Sequence, residues 1–187
     1  SQIETQHLNR VLYQEWFPEV YLAKHQMGSD SARIFVPPFK HPPNPNVDPL
    51  IWSEVNMLGQ AIAAKLHESG KTGVIWGERY SAYWQGANNT NPWWHNMVGL
   101  LTEVASADIA SPVQQHRTSD RRTARPRNRQ IVLAAPTDTQ YRMNYPRPWT
   151  GGTWTLSDVV DYSLLSTQGL LESVANNRVS LKRNFYQ

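Results

Sequence analysis

Apolar residues at Ile3, Leu8, Val11, Leu12 and Trp16 recur near helical spacing and predict an amphipathic helix over residues 2–16, which Pro18 ends. The segment EVYLAKH (19–25) is β-prone at its start and predicts a strand that ends at His25, followed by a turn in QMGSD (26–30). RIFV (33–36) predicts a second short strand. Residues 37–49 hold six prolines, which favours an extended loop over a helix or a central strand. Asp48-Pro49 then opens a helix, with Asp48 at the N-cap and Pro49 at the first helical position. Its buried face is Ile51, Val55, Leu58, Ile62 and Leu66, and Gly70 closes it.

GVIW (73–76) predicts another short strand. Residues 77–96, GERYSAYWQGANNTNPWWHN, show poor periodicity and predict a long loop with one helical turn after Pro92. GLLTEVAS (99–106) then reads as a buried strand carrying one carboxylate, Glu103. IVLAA (131–135) predicts a strand, and residues 144–154 a turn-rich loop. A last long helix starts near Ser157-Asp158 and runs to about Arg178 or beyond, with Val160, Leu164, Leu165, Leu171 and Val174 on its core face. Strands alternate with helices and no repeat is visible, which points to an α/β layer fold.

Length adds that one ordinary domain with a real core is affordable in 187 residues. The absence of cysteine removes disulfides and thiolate metal sites, so a metal would need His, Asp or Glu. No apolar run is long enough to span a bilayer. The net charge of +3 is concentrated in one place: Arg117, Arg121, Arg122, Arg125, Arg127 and Arg129. Such a run can bind phosphates, but it lacks interleaved aromatic rings, and a solvated loop is the commoner outcome. A nucleic-acid partner is therefore not expected.

Three groups carry candidate chemistry. His25, at a strand end leading into a Gly-containing turn, is placed to face a cleft and to ligate a metal as neutral imidazole; the plainer reading is a hydrogen-bonded structural histidine. Glu103, inside an apolar run, reads either as a general base in a partly dry site or as a carboxylate paired with an arginine. Tyr80 and Tyr83, on the aromatic loop, could close over a substrate or simply pack, and His95 shares that ambiguity. His7, His41, His67 and His116 receive no role.

Four stretches together resemble the zinc carboxypeptidase family, the carboxypeptidase A-like metallopeptidases, and in particular a bacterial branch of it. WFPEVYLAKHQMG (16–28) is similar to the segment leading to that family's third zinc ligand, and ARIFVPPFKHPPNPNVDPL (32–50) to the proline-rich loop after it. WWHNMVGLLTEVAS (93–106) resembles the strand that bears the catalytic glutamate, and WTGGTWTLSDVVDY (149–162) the closing loop and last helix. The resemblance implies a mixed central sheet flanked by helices, with Zn2+ as cofactor, His25 as the last zinc ligand, Glu103 as general base, and Tyr80 or Tyr83 as the tyrosine that swings over a peptide substrate. It also implies a secreted or periplasmic hydrolase.

The departures are specific. The family's first two zinc ligands form a His-x-x-Glu motif upstream of the third, and none precedes His25; His7 is followed three residues later by Arg10. Asn9-Arg10 matches by letter the pair that grips a substrate carboxylate, but its mid-helix position transfers no role. Ala23 stands where many relatives place an acidic residue, which removes a supporting group for the ligand. Residues 1–187 are thus expected to be the C-terminal part of one catalytic domain, inactive alone, with the N-terminal half as partner in the same or a separate chain. The alternative is a non-catalytic peptide- or glycan-binding module on the same fold, its cleft lined by the aromatic residues of 76–94.

Overall fold

The computed structural model describes residues 2–107, 113–115, 132–133 and 137–187. Its centre is a mixed four-stranded sheet built from β1 (Val20–Met27), β2 (Ile34–Phe35), β3 (Val74–Ile75) and β4 (Val98–Ala105), in the order β1-β4-β2-β3. β1 runs parallel to β4 over eight paired residues, β2 runs antiparallel to β4, and β3 runs parallel to β2. A second sheet of three short strands has the order β6-β5-β7, from β5 (Val113–Gln115), β6 (Val132–Leu133) and β7 (Gly152–Trp154). With α1 (Ile3–Arg10), α2 (Pro49–Glu68) and α3 (Leu156–Phe185), this is a general α/β fold of a mixed sheet with flanking helices.

α2 forms for the reasons its sequence states. The Asp48 carboxylate accepts a hydrogen bond from the Leu50 N–H at 2.7 Å, Pro49 needs no partner at the first position, and Gly70 takes φ +74° just past the end. Ile51, Val55, Leu58, Ile62 and Leu66 are all buried, and they form the core with Ile34, Phe35, Val74, Ile75 and Leu100. α3 begins with a reciprocal cap: the Thr155 hydroxyl accepts from the Asp158 N–H, and the Asp158 carboxylate accepts from the Thr155 N–H at 2.8 Å.

The buried face of α3 departs from the expected one at Val160, Leu164 and Leu171. Val159, Tyr162, Ser166, Gly169, Leu170 and Leu181 are inside, while Val160, Leu164 and Leu171 are exposed, Leu164 at 63% and Leu171 at 62%. The cause is close approach to α2. A Cβ on Gly169 would lie 2.7 Å from the Lys65 Cβ, so small residues set the contact and turn the leucines outward. Leu165 and Val174, half-buried, pack at the edge of the core. α3 runs on to Phe185, within the expectation of an end at about Arg178 or beyond.

Other expectations change in similar ways. β1 continues through His25 to Met27, because β4 supplies partners for Gln26 and Met27 in Val104 and Ala105. The N-terminal helix is regular only to Arg10 and then widens to a π-helical turn over Val11–Trp16, which ends at Phe17 with φ 47°. Of its apolar stripe only Leu12 is buried; Ile3, Val11 and Trp16 are exposed. The expected loop at 144–154 closes with strand β7, which finds a partner in β5. The arginine run lies outside the described residues, as does most of 131–135 beyond β6. Among the described residues, no helix is long and apolar enough to cross a membrane.

One buried cation ties the sheet to the closing loop. Arg33, fully buried, lies against the rings of both Trp149 and Trp154, 5.1 and 4.9 Å from their centroids. Its Nη2 donates to the Ser29 and Ser31 carbonyls at 2.7 and 3.0 Å. Burial pulls its pKa down to about 10, still far enough above neutrality to keep the charge.

The helix contact is directly testable. Gly169→Val, which pushes α2 and α3 apart, should cost about 1–3 kcal/mol. Leu164→Ser should stay within about 0.5 kcal/mol of the unaltered chain. Urea unfolding of both variants checks this, and a larger loss at Leu164 than at Gly169 would contradict the packing.

Candidate functional site

Side chains alternate along a strand, so residues in register on neighbouring strands share a face. The parallel register pairs His25 with Glu103 and Ala23 with Leu101. Lys24, one residue away, takes the opposite face and donates to the Ser163 carbonyl of α3 at 3.0 Å and to the Thr167 hydroxyl. His25 and Glu103 therefore meet on the face turned away from α3. His25 Nδ1 lies 2.9 Å from Glu103 Oε2.

The two groups sit in different surroundings. The Glu103 side chain is 8% exposed and the His25 side chain 72%. Glu103 is on the central strand, flanked by β1 and by Phe35 of β2, while His25 is on the edge strand with its ring open to solvent. The contact with the carboxylate, chiefly the hydrogen bond, raises the His25 pKa above its ordinary value.

Tyr80 is the third member. Its ring packs on Phe35 at 4.7 Å between centroids, and Phe35 is the register partner of Glu103. Burial, with the charge of Glu103 close by, pushes the phenol up to about 12, so it stays protonated near neutral pH. A cavity of about 330 Å³ lies beside the pair, lined by Tyr21, Ala23, His25, Leu101, Glu103 and the Asn88-Asn89 segment, among others. Gly99 lets that segment come down onto the sheet: a Cβ there would fall 2.0 Å from the Asn89 carbonyl oxygen.

The structure thus separates the two tyrosines that the sequence left equivalent. Tyr80 belongs to the Glu103 site, and Tyr83 lines a different cavity with Asn44, Asn46, Gln85, Asn91 and Trp94. His95 stacks on Tyr13 at 4.3 Å, a packing role. Arg10 pairs with Glu15 at 2.7 Å on the helix surface. The Asn88-Asn89 segment belongs to the Asn-rich part of the loop that carries Tyr80 and Tyr83 and matches no motif. The Asn-rich composition beside Gly86 was its only signal.

His25 and Glu103 supply one imidazole and one carboxylate. Among the described residues no group of three or more His, Asp or Glu is gathered to hold a metal ion. A catalytic zinc ordinarily takes three protein ligands. A neutral His25 imidazole is a donor type that suits such an ion, and the described residues gather no further ligands around it. No family model, curated protein or solved structure matches this chain.

The pair has a pH signature in the metal-free protein. A histidine whose folded pKa is raised contributes stability below its unfolded value of ~6.5, and loses it as pH rises through the folded value. The His25 ring resonances should therefore titrate above the ordinary imidazole range, and Glu103→Gln should move the midpoint down. An NMR titration in which the two proteins share a midpoint would contradict the contact.

Proposed function

We propose that this chain carries part of the active site of a zinc carboxypeptidase-like hydrolase of peptide or amide bonds. The observation that carries the reading is the 2.9 Å approach of His25 to a buried Glu103 across two parallel strands, 78 residues apart in sequence. The sequence resemblance gives those two residues the parts of metal ligand and general base, and their meeting beside a cavity supports it.

On this reading His25 would hold the ion through a ring nitrogen. When bound, zinc would polarise the scissile carbonyl and lower the pKa of a bound water toward ~7. Glu103 accepts a proton from the attacking water and passes it to the departing amine. Oε2 of Glu103 faces His25, and the charge of the carboxylate is close enough to Tyr80 to help raise the phenol's pKa. Tyr80 remains a donor through the neutral pH range and orients the carboxylate. Leu101 and Ala23 give the cavity an apolar wall on the side of the sheet.

The remaining ligands are assigned to a partner segment, the N-terminal half of the catalytic domain in the same or another chain. Two features support this. β1 is an edge strand, with no neighbour beyond it among the described residues. Next to it, Val160, Leu164, Thr167 and Leu171 fall at helical spacing on one face of α3, and Thr167 touches Lys24 of β1. Val160, Leu164 and Leu171 are exposed. A strand added beside β1 would cover this stripe and bring its own side chains up to His25.

The test uses the purified parent assembly, with zinc measured by atomic absorption and release of C-terminal amino acids measured from peptides. His25→Ala should lose stoichiometric zinc. Glu103→Gln should keep the metal and lower turnover by about 10²–10⁴-fold. Unchanged turnover in Glu103→Gln would overturn the reading.

A further inference from the structure

The aromatic loop builds a second cavity that the proposed hydrolysis does not use. It measures about 570 Å³ and is lined by Asn44, Asn46, Tyr83, Gln85, Asn91 and Trp94. None of these six side chains carries a charge at neutral pH. Four are carboxamides, which offer both N–H donors and a carbonyl acceptor. Two are aromatic and stay open to solvent, Tyr83 at 55% exposure and Trp94 at 42%.

The wall is held in place before any ligand arrives. Asn44 Nδ2 donates to the Tyr83 carbonyl at 2.9 Å, and Asn44 Oδ1 accepts from the Asn46 N–H at 3.0 Å. Asn91 Oδ1 accepts from the Tyr13 hydroxyl at 2.7 Å. Trp94 rides on the 3₁₀ turn Asn91–His95, whose neighbour Trp93 is buried and donates from Nε1 to the Gly99 carbonyl at 2.9 Å. Anchoring Trp93 inward leaves Trp94 facing out. A preformed wall reduces the ordering cost of binding.

We propose that this cavity binds an uncharged oligosaccharide. A sugar hydroxyl is at once donor and acceptor, as a carboxamide is, so Asn46, Gln85 and Asn91 can each serve one or two of them. The C–H faces of a pyranose ring are apolar and pack on exposed indole and phenol rings. A free peptide terminus would bring a charge that finds no counter-ion among these six side chains. His25 and Glu103 do not line this cavity, and the inference stands independently of the hydrolase reading.

The test is isothermal titration calorimetry of the chain with chitohexaose, cellohexaose and laminarihexaose, and with a glycine tetrapeptide for comparison. At least one hexasaccharide should bind saturably, with an affinity that does not change between low and high salt. Trp94→Ala should weaken it by about tenfold or more, equivalent to 1.4 kcal/mol. Gln85→Ala, at an exposed position where folding is not at stake, should weaken it by about threefold. Failure of all three sugars to bind, equal binding by Trp94→Ala, or tighter binding of the tetrapeptide would each overturn the proposal. None of these readouts involves metal or turnover, so they are separable from the test of Glu103.

Discussion

The parallel pairing of β1 with β4 is the constraint on which the rest depends. Eight residues of each strand are in register, from Val20 with Val98 to Met27 with Ala105. Parallel neighbours cannot be joined by a tight turn and need a crossover, here the long excursion through β2, α2, β3 and the aromatic loop. That excursion supplies the core helix, the Tyr80 phenol and the second cavity. Because side chains alternate, a slip of one residue would send His25 to the face that Lys24 now occupies against α3. The hydrophobic pattern of β4 fixes the choice, with Leu100 and Val104 packed in the core on one face and Glu103 on the other.

Where local chemistry decides, the chain is legible. Asp48-Pro49, the stripe of α2 and the turn after Pro92 are all signals that act within a few residues, and each appears as expected. Where packing decides, it is not. The face of α3 depends on how closely α2 can approach Gly169, and no periodicity in α3 alone contains that distance. β1 outruns His25 because β4 extends its pairing, again a tertiary effect. The stripe of α1 shows the same limit in reverse: helical spacing is present, but nothing among the described residues covers Ile3 or Trp16.

The site follows the same division. A carboxylate in an apolar run demands a reason, and among the described residues its company is His25, with Tyr80 close by. Two tyrosines three residues apart look alike in sequence; only the stacking of Tyr80 on Phe35 and the exposure of Tyr83 distinguish them. The burial of Arg33 carried no signal in sequence, since the two rings it packs on, Trp149 and Trp154, are more than a hundred residues away.

The central claim is spatial: the imidazole at 25 and the carboxylate at 103 lie on one face and in contact. Nuclear Overhauser spectroscopy on the isotope-labelled chain measures this without metal, partner or substrate. The account predicts cross-peaks between the His25 ring protons and the Glu103 side-chain methylene protons. Cross-peaks from the His25 ring to Thr167 of α3, with none to Glu103, would place the imidazole on the Lys24 face and contradict it.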